Sequence, residues 1–155
     1  MKPLCVVDTN VVVSGLVSRA DGAPPRRILN AMLAAELGFA LSVELLAEYR
    51  GVLLRPGVMA LHGLDAAEVD EILQRLALEA VEVDIGSAPG PGPADPVPIA
   101  LPGGVEPGDE HVARLALALP VCLLITGDRA LAAAMSGACQ VLTAAEALRL
   151  LAPAP

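Results

Sequence analysis

The chain has 155 residues and a mass of 15.7 kDa, enough for one domain that buries about two-thirds of its unfolded surface. Hydrophobic residues make up 55% and charged residues 18%, which excludes an intrinsically disordered chain, and the formal charge of −8 excludes a broad basic footprint for duplex nucleic acid. No uncharged apolar run approaches the roughly 20 residues of a membrane span. The first residues lack the h-region and cleavage site of a signal peptide, so a cytoplasmic location is expected. The sole lysine, Lys2, excludes chemistry that needs a lysine within the fold, such as a phosphate-binding P-loop or a Schiff base. Cys5, Cys122 and Cys139 show no C-x-x-C spacing and are expected to be core thiols.

Leu4-Cys5-Val6-Val7 is a short apolar run stopped by Asp8-Thr9-Asn10, the pattern of a buried strand that ends in a polar turn. Residues 26–36 carry Ile28, Leu29, Met32 and Ala35 at helical spacing, after Pro24-Pro25, which suit a first turn. A second strand over 37–41 leads to Ser42, an N-cap for a helix over 43–54 that Pro56-Gly57 would end. On that helix Glu48 falls just outside the apolar arc of Leu45, Leu46, Tyr49, Val52 and Leu53, where core meets solvent. Asp65 and Glu68 form a capping box for a helix with Val69, Ile72, Leu73, Leu76 and Ala80 on its inner face. Residues 81–85 alternate as a third strand near a sheet edge.

Residues 86–108 hold seven prolines and six glycines, which block both helix and central strand and predict a long loop. Asp109 is placed to cap a helix over 110–119, and 121–126 reads as a continuous apolar strand. A short helix over 129–135, a strand over 139–142 and a last helix opened by a Thr143/Glu146 capping box complete the pattern. The alternation predicts an α/β fold in a single domain over 1–155: a three-layer α/β/α sandwich on a mainly parallel sheet with right-handed crossovers.

In an open parallel sheet, ligands collect at the carboxyl ends of the strands near the point where strand order reverses. Asp8 directly follows the first strand and Asp128 follows the 121–126 strand, while Glu48 and Asp109 lie in early turns of helices that start from the same side. Each has an ordinary alternative: an Asx-turn for Asp8, a cap for Asp109, a turn for Asp128 and a solvated face for Glu48. Together they are harder to explain, because two unit charges about 5 Å apart repel by about 3 kcal/mol at an effective dielectric of 20. Such a cluster takes up protons or holds a cation, and hard oxygen ligands without paired His or Cys favour Mg²⁺ or Mn²⁺. These ions recruit phosphate oxygens and activate water, which points to phosphodiester chemistry with no side-chain nucleophile.

The sequence resembles the PIN domain nucleases, most closely the PIN-family toxins of bacterial toxin–antitoxin systems. The opening V-V-D-T-N-V-V-V-S-G-L over 6–16 resembles the first acidic motif, and Leu41-Ser42 through Leu45-Leu46-Ala47-Glu48-Tyr49 the second. Glu106-Pro107-Gly108-Asp109-Glu110 stands where the third motif has a run of aspartates, and Ile125-Thr126-Gly127-Asp128-Arg129 resembles the fourth. The resemblance implies a metal-binding catalytic site of Asp8, Glu48, Asp109 and Asp128, supported through hydrogen bonds by Asn10 and Thr126. It also implies single-stranded RNA as substrate, a homodimer and an antitoxin partner. In the third motif Gly108 interrupts the acidic run, leaving Glu106 or Glu110 as alternatives to Asp109.

Arg26 and Arg129 are candidate substrate contacts, able to form bidentate bonds to phosphate. Phe39 and Tyr49 are the only aromatics, so no stacking platform for bases is expected. His62 and His111 have no ligand spacing to each other; His111 follows Asp109-Glu110 and could assist proton transfer, but is expected on a helix surface. The reading is a Mg²⁺- or Mn²⁺-dependent endoribonuclease. A catalytically weak module of the same fold, binding RNA or a protein partner through its acidic rim, is the alternative.

Overall fold

The computed structural model describes residues 3–86 and 100–151, so most of the expected proline- and glycine-rich loop, residues 87–99, lies outside the described residues. The sheet comprises β1 (Leu4–Val7), β2 (Gly38–Leu41), β3 (Val81–Glu82), β4 (Leu123–Ile125) and β5 (Gln140–Leu142). All pairings are parallel, in the order β3-β2-β1-β4-β5. The helices are α1 (Thr9–Val17), α2 (Pro24–Leu33), α3 (Val43–Leu53), α4 (Pro56–His62), α5 (Ala66–Glu79), α6 (Glu110–Ala118), α7 (Arg129–Met135) and α8 (Ala144–Ala147). With right-handed crossovers, helices between β1 and β3 cover one face of the sheet and those between β3 and β5 the other, giving the expected three layers. None of the described helices is long and apolar enough to cross a membrane.

The centre of the sheet is closed to solvent on both sides. Cys5, Val6 and Val7 of β1, with Leu124 and Ile125 of β4, are fully buried, which is why these strands read as continuous apolar runs rather than alternating ones. β3 sits at an edge, as its alternating pattern predicts, but regular pairing stops after Glu82 and both of its residues are exposed. Ser42 accepts from Leu45 N at 3.1 Å and caps α3, and both predicted capping boxes form, at Asp65/Glu68 and Thr143/Glu146.

Two helices were not expected. The segment after Asp8 continues as α1, because the Asp8 carboxylate accepts from Thr9 N at 2.8 Å and starts the helix. Gly15 lets α1 dock on α2: a Cβ there would stand 2.8 Å from the Pro25 carbonyl oxygen and 3.0 Å from Leu29 Cβ. Pro56 follows the end of α3 as predicted, yet it opens α4 at the N1 position, where its missing N–H costs nothing.

The cysteines need a correction. Cys122 and Cys139 form a disulfide, and only Cys5 is a core thiol. Parallel pairing of β4 with β5 extends back one step, through Gln140 N donating to the Cys122 carbonyl at 2.9 Å. It leaves the two Cα atoms 4.8 Å apart, within bridging range. Burial pushes the Cys5 thiol up to about 12, and its Sγ donates to the Gly38 carbonyl at 3.3 Å.

Candidate active site

The strand order reverses between β1 and β4: from β1 the chain moves outward to β2 and β3, and from β4 it moves the other way to β5. The carboxyl ends of these two strands form the switch point where α/β sheets bind ligands. Val7 pairs with Ile125 there, and Asp8 N donates to the Ile125 carbonyl at 2.9 Å, so the chain turns out of the sheet at Asp8 on one side and Thr126 on the other. An open cavity of about 350 Å³ lies above this junction, lined by Asp8, Asn10, Glu48, Asp109 and Asp128 among others. All four predicted carboxylates therefore meet on one cavity. Val13 and Val52 give it apolar wall, and no Lys or Arg among the described residues lines it.

Each carboxylate is held differently. Asp8 is 5% exposed; its Oδ2 accepts from Thr126 Oγ1 at 2.7 Å and from Asn10 Nδ2 at 3.1 Å. Thr126 Oγ1 accepts from Asp128 N at 3.0 Å, and Asn10 Oδ1 accepts from Gly127 N at 3.0 Å, so Asn10 and Thr126 stitch the end of β4 to the start of α1. Asp128 caps α7, its Oδ1 accepting from Ala130 N at 2.9 Å and Leu131 N at 3.1 Å, where the sequence had suggested a plain turn. Asp109 stands at the start of α6 but makes no side-chain cap bond. The predicted cap is absent, and its carboxylate belongs to the cavity.

Glu48 reaches the cavity because Tyr49, its neighbour on α3, is fully buried and donates its hydroxyl hydrogen to the Val7 carbonyl, pinning α3 against the end of β1. Thr9 Oγ1 donates to Glu48 Oε2, and His111 Nε2 lies 3.3 Å from Glu48 Oε1. Thr9 is not foreseen as a site residue by the sequence, and His111 only as the alternative to a surface position. Thr9 sits inside the D-T-N motif, and His111 follows Asp109 by two residues; those placements are the only signals the sequence offers. His111 is also not a surface histidine: its side chain is 20% exposed and its Nδ1 is buried without a hydrogen-bond partner.

A model of the PIN domain matches residues 5–130, a span that contains all four carboxylates. The chain belongs to the PIN domain family. No curated protein and no solved structure gave a match. PIN domains are generally nucleases, so this is the fold of a nucleic-acid hydrolase.

Charge in the PIN cavity is unbalanced. The Asp8 carboxyl is pushed above its ordinary range, first by burial and then by the Glu48 and Asp128 charges, against hydrogen bonds from Thr126 and Thr9 that lower it. Asp109 is raised as well, by burial first and then by Asp8, Asp128, Glu48 and Glu106. Between the ordinary carboxylate value and these raised ones the folded chain holds more protons than the unfolded chain, so stability falls as pH rises through that window. The metal-free protein is expected to melt at a higher temperature on acidification from neutral pH into the upper carboxylate range, and millimolar Mg²⁺ or Mn²⁺ should flatten that dependence. Scanning calorimetry across pH, with and without metal, measures both; a melting temperature that falls on acidification in the metal-free protein would contradict the assignment.

Among the described residues, no group of three or more His, Cys, Asp or Glu side chains forms a ready-made cage for a metal ion. The donor set is nonetheless all hard oxygen in a cavity that no described Lys or Arg lines, which fits a hydrated divalent ion that takes only one or two protein carboxylates directly. Of the third-motif alternatives, Glu106 is exposed and Glu110 lies 3.5 Å from Arg114, and neither lines the cavity. Arg129 begins α7 as an exposed residue outside the cavity lining, and Arg26 lies at the opposite end of α1.

Proposed function

We propose that the chain is a metal-dependent endoribonuclease that cleaves phosphodiester bonds of single-stranded RNA. Asp8, Glu48, Asp109 and Asp128 are its metal-binding and catalytic acids, and Mg²⁺ or Mn²⁺ is its cofactor. One observation carries the reading: four carboxylates from four separate segments of a PIN domain share one cavity with no cationic side chain in its lining.

Bound among these carboxylates, a divalent ion would supply phosphate-charge neutralisation and water activation. The chain's own residues prepare the site for it. Thr126 and Asn10 fix the Asp8 carboxylate, with Thr126 tying it to the Asp128 backbone. Thr9 and His111 hold the two Glu48 oxygens apart, one each. Asp109 has no bond within its helix and is left to reorient toward an incoming ion or its waters. The toxin role, a homodimer and an antitoxin partner are further parts of the proposal, supported by the resemblance to PIN-family toxins.

Purified protein with labelled single-stranded RNA tests the reading. Cleavage is expected with Mn²⁺ or Mg²⁺ and none with chelator. Metal should also raise the stability of the folded chain by about 2.7 kcal/mol at a hundredfold excess over Kd. Cleavage that survives chelation would overturn the mechanism, and RNA binding without cleavage in either metal would favour the non-catalytic module.

A further inference from the structure

A second open cavity, of about 460 Å³, lies at the far end of α1, where Val17, Ser18 and Arg19 meet Arg26 of α2 and His62 and Gly63 at the end of α4. Its charge is the reverse of the acidic cavity. Arg26 is half-buried, and its Nη1 donates to the Ser18 carbonyl at 3.0 Å, which fixes the guanidinium at the cavity while leaving most of its five N–H donors free. Arg19 is exposed. Neither arginine forms an ion pair among the described residues. His62 is already engaged: Leu64 N donates to its Nδ1 at 3.0 Å and its Nε2 lies 2.9 Å from the Leu53 carbonyl.

The two cavities share a helix. Asn10, Val13 and Ser14 line the acidic one and Val17 the basic one, a spacing of three and four residues that puts them on one face of α1. Nine helical residues rise about 14 Å, the reach of a few nucleotides of extended strand. A polyanion approaching four carboxylates is repelled unless cations hold it elsewhere, and phosphate contacts away from the reacting bond are what set register on a nucleic acid.

We infer that Arg19 and Arg26 form a phosphate subsite for single-stranded RNA that runs along the face of α1 lining both cavities, a few nucleotides from the bond at the acidic cavity. The subsite rests on the reading of that cavity as the place of cleavage, and it is measured by binding so that the two fail separately.

Fluorescence anisotropy with an unstructured decanucleotide and with a dinucleotide, in Mg²⁺ at several salt concentrations, tests it. The double variant Arg19→Gln/Arg26→Gln is expected to bind the decanucleotide about tenfold more weakly, the loss expected for a charge-assisted bond to phosphate. Its salt dependence should be shallower by about 0.7 in log–log slope for each phosphate that the arginines no longer neutralise. The dinucleotide, too short to reach both cavities, should show no such change. Arg19→Gln alone, at an exposed side chain that bonds to nothing in the described chain, should show part of the effect and keeps the test valid if the double variant unfolds. Unchanged decanucleotide affinity and slope, or equal losses for both lengths, would overturn the subsite. Cleavage by the wild-type protein is scored separately: its absence alongside the length-dependent loss would discard the nuclease reading and keep the strand-binding face.

Discussion

Asp8→Asn is expected to lower metal-dependent cleavage by roughly a hundredfold or more, since outer partners of metal ligands alone are typically worth tenfold to a hundredfold. Asp8 is the most buried of the four carboxylates and the one to which Thr126, Asn10 and Thr9 all donate. Asparagine keeps the size of the side chain and an oxygen for the Thr9 N–H that starts α1. It removes the negative charge and one of the two acceptor oxygens that serve the cavity. The variant should remain folded by circular dichroism, lose cleavage, and lose most of the stabilisation that Mn²⁺ gives the wild-type protein. A folded Asp8→Asn protein that cuts RNA at the wild-type rate would move the chemistry away from the switch point altogether.

The second large effect concerns stability. Removing the Cys122–Cys139 disulfide by the paired substitution Cys122→Ser/Cys139→Ser should cost about 3 kcal/mol, the value expected for closing a loop of this length, 17 residues in separation. In a chain of this size that corresponds to a melting temperature lower by roughly 10 °C. Denaturation of wild-type protein in the presence of a thiol reductant should converge on the double variant, while the double variant itself should not respond to reductant. The enclosed segment carries Thr126, Asp128 and α7, so the bridge clamps the part of the cavity that hangs from β4. A double variant as stable as the oxidised wild type would show that β4–β5 pairing needs no clamp.

Several elements were legible because local chemistry and tertiary packing agree on them. Ser42, Asp65 and Thr143 cap helices in the structure for the reason they look like caps in the sequence. Arg129–Met135 is helical over the predicted residues. α1 was hidden because Val11, Val12 and Val13 are stiff, β-branched residues that disfavour a helix, and Asp8-Thr9-Asn10 ahead of them resembles a turn. What overrides propensity is the Asp8 cap together with docking on α2 across Gly15, a contact between segments that no local pattern reveals. α4 was missed because a proline after a helix signals an end equally well as a beginning. Val121 and Cys122 read as strand, yet Val121 is 62% exposed and the strand starts at Leu123.

The acidic cavity was legible at the level of residue type and chain position, since strand ends in a parallel sheet share a rim whatever their separation in sequence. The manner in which each carboxylate is held was not. Asp109 looked like a cap and is not one, while Asp128 looked like a turn and is a cap. The grip of Thr9 and His111 on Glu48 joins positions 39 and 63 residues away, a relation that only the closed fold creates. The disulfide has the same character: 17 residues of separation carry no motif, and the pairing of β4 with β5 supplies the proximity.

Asp8 and Asp128 each begin a helix, whereas Asp109 starts none by its side chain. That difference sets the order in which a descendant freed from catalysis would decay. Asp8 and Asp128 would linger under selection for folding alone, replaced at most by serine, threonine or asparagine. Position 109, where a crowded negative charge brings the fold only a penalty, would drift to neutral residues early. Among such descendants the side chain at that one position would report whether the proposed chemistry is still under selection.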